Sequence, residues 1–226
     1  LGCQLFIRNR SGAKLTPKGE TFVEYATTLV QTWTLAKNHL NLPSGSKDCL
    51  ALGAETSLWN PLMLNWVIWM KEHLPELSVS STVENAPHLT ANLERGFLDA
   101  ALLHRPTYRS GFTVEQVLEE KLIHVCVPGN TEPTHFINWG EDFIRQFDIA
   151  RPHLKQSRYS FNLGQHALQM MLHTGGNGWF RTRVVAPYLQ TGVLERINNS
   201  PEFTYPIYLS YRSTKISDSL LAAMEG

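Results

Sequence analysis

Nine histidines, three cysteines and 20 acidic residues are the groups in this 226-residue chain from which catalysis or metal binding would be built. Their spacing supports neither. His166 and His173 are seven apart and share a helix face, but nothing acidic lies between them to act as base or ligand. No HExxH or GxSxG occurs, and Gly175-Gly176-Asn177-Gly178 is followed by no Lys-Ser/Thr that would make it a phosphate loop. Cys3, Cys49 and Cys126 are far apart and match no zinc-ligand spacing, so free thiols in a reducing compartment are expected. No catalyst, metal or cofactor is therefore expected, and most histidines read as surface or satisfied core residues. Asp99 reads as a strand-end structural acid.

The chemistry that does stand out is electrostatic. Up to Gly19 the chain carries Arg8, Arg10, Lys14 and Lys18 and no acid, with Ser11-Gly12 as a turn signal between two short extended pieces. A small hairpin tipped with cations suits a DNA backbone or minor groove; the alternative is a solvated basic turn. Over the whole chain 20 Lys and Arg balance 20 Asp and Glu, which argues against coating nucleic acid along its length. Leu1 to Leu5 lacks the features of a signal peptide and an initiator Met, so the chain is expected to begin partway through a longer protein. No apolar stretch approaches membrane-spanning length.

The elements that would position these groups follow from periodicity. Thr16-Pro17 is a helix start, the hydroxyl capping and the proline fitting the first helical position. No breaker follows until Pro43 apart from Gly19, which gives a helix of roughly 24 residues, about 36 Å long. Its apolar positions, Phe22, Ala26, Leu29, Trp33, Ala36 and Leu40, step four-three-four-three-four. That is a narrow heptad seam, and a second subunit is favoured over the chain's own domain as its partner. Beyond the Leu42-Pro43-Ser44-Gly45-Ser46 linker, 42% hydrophobic and 18% charged composition predicts a packed core. Strands at 48–54, 78–84, 97–103, 122–127, 192–197 and 205–211 alternate with helices at 58–73, 87–95, 160–174 and 218–224, the pattern of a parallel α/β sheet.

Four stretches, in order, resemble the LysR-type transcriptional regulators. Leu1-Gly2-x-x-Leu5-Phe6-x-Arg8 with Leu15-Thr16-x-x-Gly19 is similar to the end of that family's recognition helix, its wing and the start of its linker helix. Leu50-Ala51-Leu52-Gly53 resembles its first effector-domain strand. Leu93-Glu94-x-Gly96-x-Leu98-Asp99-Ala100-Ala101 resembles a second element, and the stretch 175–197, with Gly176, Gly178, Pro187, Gly192 and Leu194, a third. The departures are Trp179-Phe180-Arg181 after the glycines and His104-Arg105-Pro106 after the third strand; they bear on ligand class rather than fold. Ser57-Leu58-Trp59 and Asn138-Trp139-Gly140-x-Asp142-Phe143 are similar to HdfR-type members.

The resemblance implies an α/β fold: a wing remnant of a winged helix-turn-helix over residues 1–16, a dimerisation linker helix over 17–41, and a type II periplasmic-binding-protein-like, two-lobed effector domain over 48–226. Lobe I would hold 48–123 and 207–226, lobe II 124–206, with two crossing strands as hinge. Arg8, Arg10 and Lys14 would touch DNA. Ligands of open α/β sheets sit at strand carboxyl ends near helix N-termini. That rule selects Thr56, Ser57, Trp59, Asn85, His104 and Arg105 in lobe I, and Ser160, Phe161, Asn177 and Trp179 in lobe II. Thr56 and Ser57 equally suit helix capping, Arg105 a surface ion pair and Trp179 the core. The implied partners are double-stranded DNA, further copies of the chain as a homodimer or homotetramer, and a small-molecule effector, with room for contact with RNA polymerase; the implied setting is the bacterial cytoplasm. The rival readings are a two-lobed solute-binding protein and a ligand-free regulator whose cleft is filled by its own aromatic side chains.

Overall fold

The computed structural model describes residues 1–9, 12–40, 42–129, 132–151, 157–214 and 216–226. Arg10, one of the three cations expected to face DNA, lies outside them.

Strands β1 (Phe6–Asn9) and β2 (Gly12–Leu15) form an antiparallel ribbon in which Arg8 opposes Ala13 and Ile7 opposes Lys14. Helix α1 (Pro17–Leu40) follows at once. Thr16 organises the junction: its amide donates to Leu5 O at 2.9 Å, its hydroxyl donates to Gln4 O at 2.8 Å, and the same oxygen accepts from Gly19 N at 3.0 Å. A Cβ on Gly19 would lie 2.2 Å from Leu5 O, so only glycine lets the helix pack on the chain that enters the hairpin. Further along, Leu29, Trp33 and Leu40 are 65%, 71% and 85% exposed, so the later part of the seam is uncovered among the described residues, while Phe22 and Ala26 are half-buried.

The remainder is a mixed α/β domain. In chain order it contains β3 (Asp48–Glu55), a π-helical turn (Trp59–Met63), α2 (Leu64–His73), β4 (Leu77–Glu84), α3 (Ala86–Glu94), β5 (Ala100–Leu103) and β6 (Phe112–Cys126). Then come β7 (Phe136–Ile137), α4 (Glu141–Ala150), β8 (Ser160–Phe161), α5 (Gly164–Thr174), β9 (Asn177–Arg181), α6 (Thr182–Gln190), β10 (Glu195–Arg196), β11 (Phe203–Arg212) and α7 (Asp218–Ala223).

Among the described residues seven strands share one sheet, in the order β10-β6-β11-β5-β3-β4, with β9 also on β6. The β3–β4 and β3–β5 pairs are parallel. β11 runs antiparallel to β5 and to β6, so the sheet is mixed rather than parallel throughout. Two helical layers cover the first half. Leu50, Leu52, Ala54, Ala100 and Leu102 face the core cluster that also holds Met70 and Leu220, from α2 and α7. Ala101 and Leu103 face a second cluster with Leu89 and Leu93 of α3. Gly53 permits that approach, since a Cβ there would meet Leu89 Cδ2 at 2.6 Å and Leu98 Cδ1 at 2.7 Å. Asp99 ties the edge: its carboxylate accepts from Ala51 N at 2.8 Å, which is the structural role its sequence position suggested.

β6 and β11 cross between the lobes. They pair from Phe112↔Arg212 to Leu122↔Phe203; beyond Leu122, β6 exchanges this partner for β9 and β10. The second lobe closes on aromatic packing, with Phe147, Trp179 and Phe180 fully buried and Trp139 bonded through its indole N–H to Trp179 O at 2.9 Å.

Three local expectations change. The helix from residue 58 begins as a π turn in which Asn60 is extended (φ −127°, ψ 129°). Ser160 and Phe161 form a two-residue strand against β7, and the helix starts only at Gly164. Asn177 to Phe180 form a strand rather than a glycine turn, because β6 supplies the ladder. A testable consequence concerns Gly164, where a Cβ would fall 2.2 Å from the Trp139 ring. Gly164→Ala is expected to cost about 1–3 kcal/mol in urea unfolding through overpacking; an unchanged midpoint would show that the indole has slack.

Candidate functional site

Where β3 ends, Thr56 and Ser57 lead into the π turn, and the crossing strands bring Glu120 (β6) and Tyr205 (β11) beneath them. Arg181, the last residue of β9, reaches across from the other lobe. Its Nε lies 2.5 Å from Glu120 Oε2, and the side chains are 0% and 2% exposed. Another guanidinium nitrogen of Arg181 donates to Ser57 O. Arg183, half exposed, sets its Nε 3.2 Å from the second Glu120 oxygen. One buried carboxylate thus serves two arginines, and one arginine links the lobes to the hinge.

Tyr205 sits against this group. Its hydroxyl donates to Ser57 Oγ at 3.0 Å, and Arg181 Cζ lies 5.8 Å from its ring centroid. Burial drives the Tyr205 phenol far above its ordinary range. His104 stacks on the phenol ring with centroids 3.6 Å apart and planes within 3°. Its Nδ1–H donates to Pro206 O at 2.8 Å, and its backbone N–H donates to Glu55 Oε1 at 2.8 Å. Burial raises the Glu55 carboxyl pKa and lowers that of His104. At the mouth, Arg105 bonds Glu141 Oε2 at 2.9 Å and stands 3.4 Å from Asp142 Oδ2, joining β5 of one lobe to the first turn of α4 in the other.

The structure thus gathers Ser57 and His104 around Tyr205, with Arg105 at the rim. It disperses the other sequence-derived ligand positions. Thr56 is exposed. Asn85 caps α3, accepting from His88 N at 3.0 Å. Ser160 is exposed on β8, and Phe161 packs half-buried against His135 and His166. The side-chain oxygen of Asn177, Oδ1, accepts from Thr134 Oγ1 at 2.7 Å and from His124 Nε2 at 2.9 Å, a lattice internal to the second lobe. Trp179 is 2% exposed; its indole N–H donates to Pro201 O at 2.7 Å and its ring stacks on His124. Trp59 lines a separate opening of about 290 Å³ between the π turn, α5 and α6. No cluster of three or more His, Cys, Asp or Glu suited to a metal occurs among the described residues, and no helix there is long and apolar enough to cross a membrane.

Residues 44–225 match the family model described as the LysR substrate binding domain. The chain belongs to the LysR family. Over 162 residues it is 28% identical to the HTH-type transcriptional regulator HdfR of Yersinia pestis (strain Pestoides F) and, equally, to HdfR of Yersinia pseudotuberculosis serotype O:1b (strain IP 31758). Those regulators agree with the HdfR-like stretches read from the sequence. The matched stretch covers 65% of this chain but only 55% of each relative. Among solved structures, Vibrio fischeri DarR in complex with DNA aligns with a TM-score of 0.69 at 16% identity, covering 99% of this chain and 82% of that one. CrgA, a LysR-type transcriptional regulator from Neisseria meningitidis, aligns at 0.64 and 16%, covering 99% and 84%. The bromide-bound regulatory domain of HypT from Salmonella typhimurium aligns at 0.63 and 13%, covering 82% and 95%. The likeness places the chain in the two-lobed, periplasmic-binding-protein-like fold of LysR regulatory domains.

Within that LysR fold, Glu120, Arg181 and Tyr205 escaped the sequence reading. Glu119-Glu120-Lys121 looks like a solvated charge run, and Tyr205 like one more strand aromatic. The available signal was Arg181 itself, a guanidinium closing the apolar run Gly178-Trp179-Phe180 where the family carries small apolar residues.

His104, His124 and His135 all have their pKa lowered from 6.5, in each case mainly by burial. Their neutral forms belong to the fold, so the unfolded chain takes up protons first as pH falls. The contribution of these neutral imidazoles is fullest well above pH 6.5 and is lost progressively as pH falls below it. Glu55 opposes this, since its raised pKa adds stability as pH falls through its folded value towards 4.5. Urea unfolding at pH 7.5, 6.5 and 5.5 is expected to show a progressive loss that begins near 6.5; a flat profile would mean that these imidazoles ionise as readily in the fold as outside it.

Proposed function

We propose that this chain is the greater part of a one-component, DNA-binding transcription regulator, not an enzyme, that works in the cytoplasm. The observation that carries the reading is a single continuous arrangement. An exposed cationic ribbon runs into a 24-residue helix whose apolar seam is exposed at Leu29, Trp33 and Leu40, and that helix leads into a two-lobed domain. The division proposed is 1–16 for the wing, 17–41 for the linker helix and 48–226 for the effector domain. Lobe I takes 48–123 and 207–226 and lobe II takes 124–206, in keeping with the exchange of β6 partners at Leu122.

Arg8 and Lys14 lie on opposite faces of the β1–β2 ribbon, because directly opposed residues share a face and each cation opposes an apolar residue. A ribbon entering a groove edge-on offers one cation to each phosphate wall. Phe6 and Leu15, opposed to each other and 53% and 38% exposed, offer the apolar face against which a preceding helix-turn-helix would pack. Phe22, Ala26, Leu29, Trp33, Ala36 and Leu40 pair with the same helix of a second copy, and two such dimers make a tetramer. An effector favouring one lobe arrangement would shift the population of assemblies on DNA and thereby contact with RNA polymerase.

A second reading, a regulator with no effector in the hinge region, is favoured by Arg181, Glu120, Tyr205 and His104, which fill the space beneath Ser57 with the chain's own groups. A stand-alone solute-binding protein accounts for neither the ribbon nor the seam.

The full-length protein is expected to bind its own upstream intergenic DNA as a dimer or tetramer with steep salt dependence. Arg8→Gln and Lys14→Gln should each lower the log–log salt slope by about 1. Leu29→Glu with Trp33→Glu should give a monomer in sedimentation and weaken DNA binding at least tenfold. Retention of the parental oligomer by that double variant would refute the seam, and absence of salt-sensitive binding by the parent would refute the regulator.

A further inference from the structure

The opening lined by Trp59 is one place where the described surface has room for a small molecule, more enclosed than the larger, shallower groove of about 420 Å³ between the end of α2 and α7. Its walls follow from helix periodicity. Gln165, Leu168 and Gln169 are one face of α5, spaced i, i+3, i+4; Val184, Pro187 and Tyr188 are one face of α6. Trp59 and Pro61 of the π turn close it from the other lobe. A volume of about 290 Å³ is at the small end of ligand pockets, which run to about 1,000 Å³. That size suits one ring with a short substituent. The facing Trp59, Tyr188 and two prolines favour a flat apolar body.

Charge decides the polar end. Arg183 lines the opening and is half exposed. The carboxylate it touches, Glu120, already carries the fully buried Arg181 on its other oxygen. Two guanidiniums share one carboxylate, which leaves an excess positive charge, and among the described residues no acidic side chain lines the opening. Gln165 and Gln169 add amide donors and acceptors on the same wall.

We propose that this opening binds a small aromatic monocarboxylate, its carboxylate on Arg183 and its ring between Trp59 and Tyr188. The site is distinct from the Ser57–His104–Tyr205 group beneath the hinge. Because its walls come from both lobes, its ligand is held best in one lobe arrangement. A carboxylate on Arg183 also draws that guanidinium from Glu120, the group through which Arg181 holds Ser57 O. Use of the site as the effector site rests on the regulator reading; binding itself does not.

The test is calorimetric titration of the full-length protein with phenylacetate, phenylacetamide and phenethylamine, beside a separate DNA-affinity measurement. Phenylacetate is expected to bind saturably, and the neutral amide and the cation at least tenfold more weakly. Arg183→Gln should erase the preference for the anion. Gln169→Trp, a change at an exposed rim position, should fill the opening and abolish binding, and it carries the test should Arg183→Gln fail to fold. Equal binding of all three probes, no binding of phenylacetate, or undiminished binding by a folded Gln169→Trp protein would overturn the proposal. Failure of the regulator reading would show instead as loss of DNA binding while the calorimetry stands.

Discussion

A guanidinium with no access to water has to be surrounded by its own protein's acceptors, and Arg181 imposes that condition on both lobes at once. Its partners are Glu120 on a crossing strand and the Ser57 carbonyl at the end of the first strand, while it belongs itself to the second lobe. Bringing such a pair out of water costs several kcal/mol per ion, recovered only with good geometry. Arg181 Nη2 and Glu120 Oε1 remain without hydrogen bonds among the described residues, although Arg183 stands 3.2 Å from that oxygen. The group therefore restricts the lobe angle to what keeps those contacts, and it adds specificity more than stability.

The aromatic packing reads as support for that constraint. Trp179 and Phe180 precede Arg181 on β9 and are buried, so the strand has no freedom to withdraw the arginine. Trp139 bonds Trp179 O and meets Tyr205 edge-on with centroids 5.6 Å apart, which ties the second lobe to β11. Tyr205 in turn orients Ser57 and carries His104. These side chains pack beneath the strand ends where a ligand was expected, and one opening lies to the side, at Trp59. Arg105 with Glu141 and Asp142 adds an exposed contact across the mouth, one that salt would weaken and that contributes little alone.

Much of this architecture is local and therefore legible from the residues. Thr16, Pro17 and Gly19 specify the helix start, and the four-three steps from Phe22 to Leu40 specify a seam that is exposed from Leu29 onward among the described residues. Gly53 meets Leu89 and Leu98, and Asp99 meets Ala51, across one parallel unit; these contacts are not local, and the motif is what announces them. What escaped the reading depends on pairing between distant segments. The first ten residues of β6 are mostly polar and become a strand only because β11, some ninety residues later, lies beside them. Asn177 to Phe180 look like a glycine turn until β6 supplies a ladder. Glu120 and Arg181 are 61 residues apart, and neither position signals the other. The ligand positions chosen from strand ends scattered for the same reason: Asn85 and Asn177 spend their polar groups on a cap and on an internal lattice.

The most direct measurement of whether one buried pair holds the two lobes in register is a double-mutant unfolding cycle at Glu120 and Arg181. Glu120→Gln alone and Arg181→Met alone should each cost about 3–5 kcal/mol, since each leaves a buried partner uncompensated. The combined variant should lose markedly less than the sum, with a coupling of about 2 kcal/mol or more. Strictly additive losses would contradict the account and assign the lobe arrangement to aromatic packing alone.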